Sequence, residues 1–557
     1  MRLRIVIGIF ILMFMGLIVR LFYWQIIKGE TLSKEAGLQY KDSTKVKSSR
    51  GSILAKDNTW LATQRPNWLL FAEKPKLKNL KIVANSLAPI LETESEDLYT
   101  IITRPEVVWI PIKHKITGEQ KRQIEELKIE GLGFEPEETR FYPEGSASAQ
   151  LLGFVGKNEE GYDTGYFGLE GYYDISLKGK SGFVEREKDL KGAPLLSGSM
   201  SEISSIPGAN LITFIDKRIN SIVDTKLKEG IEKYGAKEGS VIIMNPKNGA
   251  ILAMSSYPSY DPTKYNEYDE KLYKNPAISD TFEPGSVFKV MVMAAGIDAG
   301  AVTPDTICDI CEGPLKVDKY LIETWNRKYF KDSTMTDVVV HSDNVGVSFV
   351  AQKLGADKLY DYLDKFGIGK LSGIDLQGES NISMRKKGTW NIVDLATSSF
   401  GQGISTTPIQ IIRAVAAIAN DGILTIPKVV EKVELDGWSE KLNEGGKLRV
   451  ISKDTAEKMT KIMVQAARHG EAQWTNLKGF SVAGKTGTAQ IPISGHYDAE
   501  KTIASFVGFA PANNPKFIML VTLKEPQSSE WASETAAPLW YSIAKDLFII
   551  FGIQPDN

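Results

Sequence analysis

The hydrophobic pattern of this chain begins with an almost continuous apolar run near its first residues. Ile5 to Val19 are apolar without interruption, and Leu21 to Ile27 continue the run beyond Arg20. In a helix that rises about 1.5 Å per residue, the span from Ile5 to Ile27 is about 34 Å long, which is enough to cross a bilayer. We therefore predict a single transmembrane anchor at residues 5–27.

The residues that flank this run predict its orientation and its fate. Arg2 and Arg4 precede it, so residues 1–4 are expected to form a cytoplasmic tail and the bulk of the chain to lie outside the membrane. The last part of the run carries bulky residues at 22–24 and no small-residue cleavage site, which favours an uncleaved anchor over a signal peptide. Tyr23 and Trp24 fit the outer interface. Arg20 either extends toward the outer headgroups or contacts a partner in the membrane.

Two further segments follow the anchor. Residues 28–206 are charged and mixed, with a strand predicted at Trp68–Ala72 and a helix near Glu119–Lys128, which indicates an α+β module. Small polar residues from Ser197 to Gly208 are typical of a linker or a mobile loop.

Residues 207–557 carry strands, then helices, then strands and a last helix. This order predicts an antiparallel sheet covered by helices, so the whole chain is expected to be α+β. We expect the hairpin to pair with the strand that follows Lys485 and with Phe517–Thr522. The predicted elements are a strand at Leu211–Ile215, a helix at Ile219–Tyr234, a hairpin of Ser240–Met244 and Ala250–Ser255, and a helix from Ala536.

Composition narrows the function classes. The 557 residues are 42% hydrophobic and 24% charged, which is ordinary for two to four globular domains. A formal net charge of -2 gives no overall positive potential that would attract nucleic acid. The sequence shows no glycine-rich phosphate-binding loop, so it does not imply a nucleotide cofactor. The four histidines show no ligand spacing, so we predict no metal; they are His114, His341, His469 and His496.

The chain has two cysteines, Cys308 and Cys311, in a single C-x-x-C pattern. Outside the membrane a small structural disulfide is slightly favoured over a free pair. A zinc site would need further ligands, and a redox role would need a thioredoxin-like context.

The segment Ser286–Lys289 has the pattern of a nucleophile and its base. Glu283–Gly285 interrupts the chain before it, and the apolar run to Ala295 predicts a helix that begins at Ser286. Lys289 lies one turn later on the same face, where it could take the serine proton. A base must be neutral, and burial together with a second cation, for which Lys485 is the candidate, would lower the pKa of Lys289.

Two later segments complete a catalytic set. In Lys485–Thr488, one ammonium group and two hydroxyls suit a substrate carboxylate, and Gly487 would let a substrate backbone lie close alongside. The backbone N–H groups of Ser286 and Thr488 are the expected oxyanion hole. Ser342 and Asn344, from the segment Ser-Asp-Asn, would supply a proton relay and a contact to the substrate amide. Each segment alone is ordinary, but the three in this order favour catalysis.

These three motifs are those of penicillin-interacting serine acyl-transferases, and the whole chain resembles a class B penicillin-binding protein. Departures at Asn58, Gln150, Val287 and the pair Ser533–Glu534 remove no catalytic group. Further segments that carry the resemblance are Arg50–Leu54, Leu61–Ala62, Arg140–Gly145, Leu152–Gly156, Gly168–Glu170, Tyr173–Asp174, Leu177–Gly179, Thr281–Gly285, Phe400–Gly403, Thr407–Pro408, Gln410 and Ala504–Pro511.

The resemblance implies a β-lactamase-like transpeptidase domain at 207–557 on an elongated pedestal, a dimerisation-type domain, at 28–206, anchored in a bacterial cytoplasmic membrane. It implies D,D-transpeptidation: Ser286 would attack the penultimate D-alanine carbonyl of a donor stem peptide, and an acceptor amine would resolve the acyl-enzyme. β-Lactams would acylate the same serine. A polytopic membrane glycosyltransferase of the shape, elongation, division and sporulation family is the implied partner.

Several alternatives remain at this point. Chain length and a compact pedestal resemble the division-specific septal branch, with the elongation branch and then a sporulation paralogue behind it. A D,D-carboxypeptidase would use water as acceptor, and such a side activity is compatible with the motifs. A secreted β-lactamase would lack the anchor and pedestal. A non-catalytic scaffold or penicillin sensor is disfavoured because every expected catalytic group is present.

Overall fold

The computed structural model describes residues 2–32, 41–105, 107–187, 200–442, 445–493 and 496–556. The chain forms two compact units: one combines residues 1–50 with 178–208, and the other combines residues 51–177 with 209–557. The predicted linker at Ser197–Gly208 lies outside the described residues as far as residue 199.

The α-helices are distributed along the whole chain, and the first continues into a π-helical turn at Tyr23–Ile27. In chain order they are α1 Arg2–Phe22, α2 Leu80–Leu91, α3 Ser95–Thr103, α4 Gly118–Glu126, α5 Ala149–Leu152, α6 Gly168–Tyr172, α7 Asp174–Leu177, α8 Lys217–Tyr234, α9 Pro276–Ser279, α10 Lys289–Asp298, α11 Met335–Val340, α12 Asn344–Leu354, α13 Ala356–Lys365, α14 Ile392–Ser399, α15 Pro408–Ala419, α16 Lys453–His469 and α17 Ala536–Ile550.

The strands form several separate sheets. In chain order they are β1 Lys41–Val46, β2 Ile53–Leu54, β3 Trp60–Glu73, β4 Trp109–Ile116, β5 Leu132–Phe141, β6 Phe154–Lys157, β7 Asp163–Tyr166, β8 Gly182–Glu187, β9 Met200–Ile203, β10 Asn210–Thr213, β11 Glu238–Met244, β12 Ile251–Tyr257, β13 Leu315–Val317, β14 Tyr320–Ile322, β15 Ile423–Leu424, β16 Val430–Leu435, β17 Trp438–Lys441, β18 Leu448–Arg449, β19 Ala483–Ile493, β20 His496–Ala510 and β21 Phe517–Lys524.

The first unit contains the predicted anchor and a small sheet. The most apolar 18-residue window of the helix from Arg2 to Ile27 has a mean hydropathy of 2.7, and the helix is long and apolar enough to cross a membrane. Its large apolar side chains are exposed, as expected for a segment whose solvent is lipid. The antiparallel sheet in the same unit has the strand order β1-β8-β9.

A seven-stranded sheet in the second unit crosses the predicted domain boundary. Its order is β17-β16-β10-β2-β3-β4, and β5 also pairs with β3. β10 and β16 come from beyond residue 207, yet β10 lies parallel to β2. Helices α2 and α3 cover part of this sheet with a separate apolar core that includes Leu70, Leu87 and Ile110. One sheet thus joins strands from both sides of the predicted boundary at 206/207, and that boundary stays a prediction.

A five-stranded antiparallel sheet forms the centre of the C-terminal region, with the order β12-β11-β21-β20-β19. The predicted hairpin is β11 and β12, and β21 pairs with β11 as expected. The expectation that the strand of Lys485 would also pair with the hairpin is wrong, because β20 and β21 separate β19 from it. β19 is instead the far edge of the sheet.

Helices cover both faces of this sheet, as its alternating residues require. Ile242 and Met244 of β11 pack into one core with α10, α12, α15 and α16. Val241 and Ile243 face the opposite way, into a second core with α8 and α17. The predicted antiparallel sheet covered by helices is confirmed, and the first core buries α10, the helix that carries Lys289.

Candidate active site

Ser286 lies in a tight turn at the start of a buried helix. Residues Gly285–Phe288 form a 3₁₀ turn that continues directly into α10. Gly285 adopts a φ of +57°, and its N–H donates to the carbonyl of Gly401 at 3.2 Å. A side chain on Gly401 would collide with the Gly285 backbone, so close backbone packing fixes the turn that presents Ser286.

Two buried lysines converge on Ser342. The amine of Lys289 donates to the Ser342 carbonyl at 2.6 Å and approaches its hydroxyl at 3.4 Å. The ammonium group of Lys485 donates to the same hydroxyl at 3.0 Å. The three motifs that the sequence spreads over about 200 residues therefore meet around one serine hydroxyl.

The backbone presents Ser342 in an unusual conformation. Its φ is +56°, a left-handed value that costs a non-glycine residue about 1 kcal/mol. Asp343 then caps α12, accepting a hydrogen bond from Val345 N at 2.7 Å. Asn344 is the first residue of that helix, and its amide donates to the Glu323 carbonyl at 2.8 Å. The strained serine and the capping aspartate together place the Ser342 hydroxyl between the lysines.

Burial and mutual repulsion set the charges of the two lysines. Lys289 is 1% exposed, and desolvation together with the adjacent Lys485 lowers its pKa to about 7. Burial also lowers the pKa of Lys485, while the carboxylate of Glu471 raises it. At neutral pH a large fraction of Lys289 is therefore uncharged, which a general base needs.

The strand edge formed by Lys485–Thr488 packs directly against the turn of Ser286. A side chain on Gly487 would lie 2.8 Å from a Val287 methyl and 2.7 Å from the Ser505 hydroxyl. The glycine thus admits the turn of Ser286, and the expectation that it also lets a substrate backbone lie close alongside stays a prediction. The Thr488 hydroxyl accepts a hydrogen bond from Ala532 N at 3.0 Å, which ties the strand to the segment before α17.

One expected contact is not formed. Within the part of the chain that the structure describes, the hydrogen bonds of the Lys289 amine run to Ser342, and none reaches the Ser286 hydroxyl. Catalytic hydrogen bonds often tighten only when a substrate is bound, so this geometry is compatible with a base one turn from its serine.

Sequence reasoning missed several residues around the cleft. Glu471 accepts a hydrogen bond from the Thr486 hydroxyl at 2.8 Å, although 15 residues separate the two. The rings of Trp325 and Trp531 lie 5.1 Å apart. These residues belong to loops without a motif, so no local signal in the sequence could have found them.

The predicted disulfide between the two cysteines is formed, in a loop that is bonded to the residues just before α11. Cys308 and Cys311 are joined, and both are buried. The same loop is held by a hydrogen bond from Cys308 N to the Ser333 carbonyl at 2.9 Å, next to the start of α11.

The structure thus brings together a serine on a glycine-fixed turn, two buried lysines and the Ser342 hydroxyl between them, beside a helix-covered antiparallel sheet. The Penicillin binding protein transpeptidase domain matches residues 239–547, and the Penicillin-binding Protein dimerisation domain matches residues 45–213. The chain belongs to the class B penicillin-binding proteins, the peptidoglycan D,D-transpeptidase family.

Relatives match over the full chain. It is 31% identical to "Stage V sporulation protein D" of Bacillus subtilis (strain 168), covering 100% of this chain and 86% of the relative. It is 28% identical to "Peptidoglycan D,D-transpeptidase FtsI" of Escherichia coli (strain K12), covering 100% of this chain and 92% of the relative.

Solved structures share the fold. Penicillin Binding Protein 2X from Streptococcus thermophilus superimposes with a TM-score of 0.75 at 25% identity, covering 93% of this chain and 83% of that one. Penicillin binding protein 3 from Mycobacterium tuberculosis, complexed with aztreonam, gives a TM-score of 0.72 at 24% identity, covering 92% of this chain and 98% of the other.

Proposed function

We propose that Ser286 is the nucleophile of this transpeptidase and Lys289 its general base. One observation supports the assignment most strongly: a buried Lys289, with a pKa lowered to about 7, follows the Ser286 turn by one helical step and shares the Ser342 hydroxyl with Lys485. An uncharged amine beside a serine is the arrangement that activates a hydroxyl without a histidine.

In the acylation step, the Ser286 oxygen attacks the penultimate D-alanine carbonyl while Lys289 accepts the hydroxyl proton. The backbone N–H groups of Ser286 and Thr488 stabilise the oxyanion. The C–N bond then breaks, and the departing D-alanine amine takes a proton relayed through Ser342. Lys485, with the hydroxyl of Thr488, holds the donor carboxylate, Gly487 lies between Thr486 and Thr488, and Asn344 contacts the donor amide.

In the second step, an acceptor amine attacks the ester carbonyl, loses its proton to the base and returns the serine oxygen as a hydroxyl. The product is a cross-link between two stem peptides. Water in place of the amine would give D,D-carboxypeptidation as a side reaction. β-Lactams, whose amide resembles the donor, acylate Ser286 and leave an ester that hydrolyses slowly.

The site works outside the cytoplasm in this proposal. α1 anchors the chain in the bacterial cytoplasmic membrane as a single pass, with Arg2 and Arg4 on the inner side. A polytopic membrane glycosyltransferase, which would polymerise the glycan that this site cross-links, is the proposed partner, contacted by the anchor and the pedestal.

For the cellular process we propose septal wall synthesis during division, supported by the full-length match to FtsI. Sporulation is the second candidate, because the relative at 31% identity is named for it. A fluorescent fusion in the native host separates the two: mid-cell signal in vegetative cells supports division, and signal confined to sporulating cells supports sporulation.

The reaction itself is tested by turnover. Full-length protein in detergent is incubated with a D-Ala-D-Ala stem peptide, with and without an added amine acceptor, and the products are separated by mass. Transpeptidation predicts an amine adduct that forms at the expense of the hydrolysed product and is lost in Ser286→Ala. Hydrolysis that the amine leaves unchanged would mean a carboxypeptidase, and no release of D-alanine would contradict the proposal.

A further inference from the structure

Glu471 ends a chain of hydrogen bonds that begins at Lys485. The Lys485 ammonium donates to the Thr486 hydroxyl at 3.2 Å, and that hydroxyl donates to a carboxylate oxygen of Glu471 at 2.8 Å. A threonine hydroxyl carries one proton, so this proton is committed to Glu471. The remaining contacts of the ammonium go to the Ser342 hydroxyl and the Thr486 carbonyl.

The fold holds Glu471 firmly in this place. Glu471 is half-buried in the turn that follows α16. Just before it, a side chain on Gly470 would run into the carbonyl oxygens of Ala466 and Val340. Val340 ends α11, two residues before Ser342, so the turn of Glu471 and the loop of Ser342 are packed against each other.

The charged groups that face the two lysines are few in the described chain. The charge of Lys289 on α10 is repelled by Lys485 and attracted by Asp343 and Glu471. The charge of Lys485 is attracted by Glu471. Two ammonium groups that share one hydroxyl repel each other, so one site preferentially carries the positive charge. Glu471 contacts Lys485 through a single hydroxyl and therefore favours charge on Lys485.

We propose that Glu471 is a positioning residue that keeps the positive charge on Lys485 and so leaves Lys289 as the uncharged base. This inference rests on the proposed function of Ser286 and Lys289. In this inference, a carboxylate outside the three motifs determines which of the two lysines carries the proton, and it acts through the Thr486 hydroxyl.

The test is a pH profile of Ser286 acylation. Rates of labelling by a reporter penicillin are measured with full-length protein in detergent from pH 5.5 to 10, for the wild type, Glu471→Gln and Glu457→Gln. The first substitution removes the charge and keeps an oxygen acceptor. The second is the matched control, because Glu457 lies on α16 and pairs with Lys453 at the surface.

We expect a bell-shaped profile in the wild type, rising as Lys289 loses its proton and falling as Lys485 loses its charge. Removing a nearby negative charge weakens proton binding at both lysines, so both limbs move to lower pH in Glu471→Gln. The alkaline limb should move further, by about one pH unit. Glu457→Gln should keep the wild-type limbs, and Glu471→Asp, which keeps the negative charge, should keep both limbs close to their wild-type positions.

The outcomes are distinguishable. Limbs that stay in place in Glu471→Gln overturn the inference, even if the rate falls, because a merely structural role would lower the amplitude alone. If melting shows that Glu471→Gln is unfolded, Glu471→Ala carries the same expectation. A wild type that is not labelled at Ser286 overturns the proposed function instead, and the inference falls with it.

Discussion

The side-chain nitrogen of Lys289 lies 2.6 Å from the carbonyl oxygen of Ser342, 53 residues further along the chain. This bond joins α10, which follows Ser286, to the loop that begins α12. It also orients the amine, because one N–H is committed to a carbonyl that accepts from either the charged or the uncharged form. The same contact can therefore hold the amine of Lys289 in either protonation state.

Replacing Lys289 should abolish acylation without unfolding the protein. We expect Lys289→Ala to lower the rate of labelling by a reporter penicillin about 10³-fold or more, since a general base contributes about 10²- to 10⁴-fold. Lys289→Arg is the informative companion, because it keeps the charge but cannot act as a base near neutral pH. An arginine variant that retained more than a tenth of the wild-type rate would contradict the role of Lys289.

The acylation rate should rise with pH through the neutral range. Lys289 must be deprotonated to accept the serine proton, and its pKa is lowered to about 7, so the rate should be half-maximal near pH 7 and fall below it. Stopped-flow measurement with a chromogenic β-lactam, corrected for uncatalysed hydrolysis, gives this profile. A rate that is constant from pH 5.5 to 8 would exclude Lys289 as the titrating base.

Two substitutions at Ser342 distinguish the chemical role of its hydroxyl from the conformational cost of its backbone. Ser342→Ala and Ser342→Gly both remove the hydroxyl between the lysines, and both should slow acylation about 100-fold. They should differ in stability, because the left-handed φ of +56° is strained for alanine and free for glycine. We expect the glycine variant to be about 1 kcal/mol more stable than the alanine variant in chemical denaturation. Equal stabilities would show that the backbone relaxes at this position.

A buried ion pair between Arg140 and Glu170 should contribute strongly to the stability of the protein. Arg140 and Glu170 lie 2.6 Å apart with side-chain exposures of 4% and 0%, and they join two of the segments that carry the family resemblance. Glu170→Ala would leave the arginine charge buried without this partner, so we expect a loss of about 3–5 kcal/mol in the free energy of unfolding.

The control for this prediction is an exposed pair in the same region. Asp163→Ala breaks the contact of Asp163 with Lys157, whose side chains are both more than half exposed, and should change stability by less than about 0.5 kcal/mol. Similar losses in the two variants would mean that burial does not determine the cost.

The sequence predicted those parts of the molecule that local patterns encode. The hairpin of β11 and β12 follows from two apolar runs around an Asn-Gly turn, and Ser286 and Lys289 follow from their spacing on a helix. The position of β19 was missed, because strand order depends on β20, whose polar first half lacks a strand pattern. Glu471 was missed because its contact with Thr486 is created by the packing of α16 and not by any spacing.

The most direct test of the central claim is covalent labelling of the full-length protein by a reporter penicillin, followed by peptide mass analysis of the wild type and Ser286→Ala. The account predicts one added acyl group on the peptide that contains Ser286, and no label in the alanine variant. A folded wild type without label, or a label that persists in Ser286→Ala, would contradict the assignment of the nucleophile.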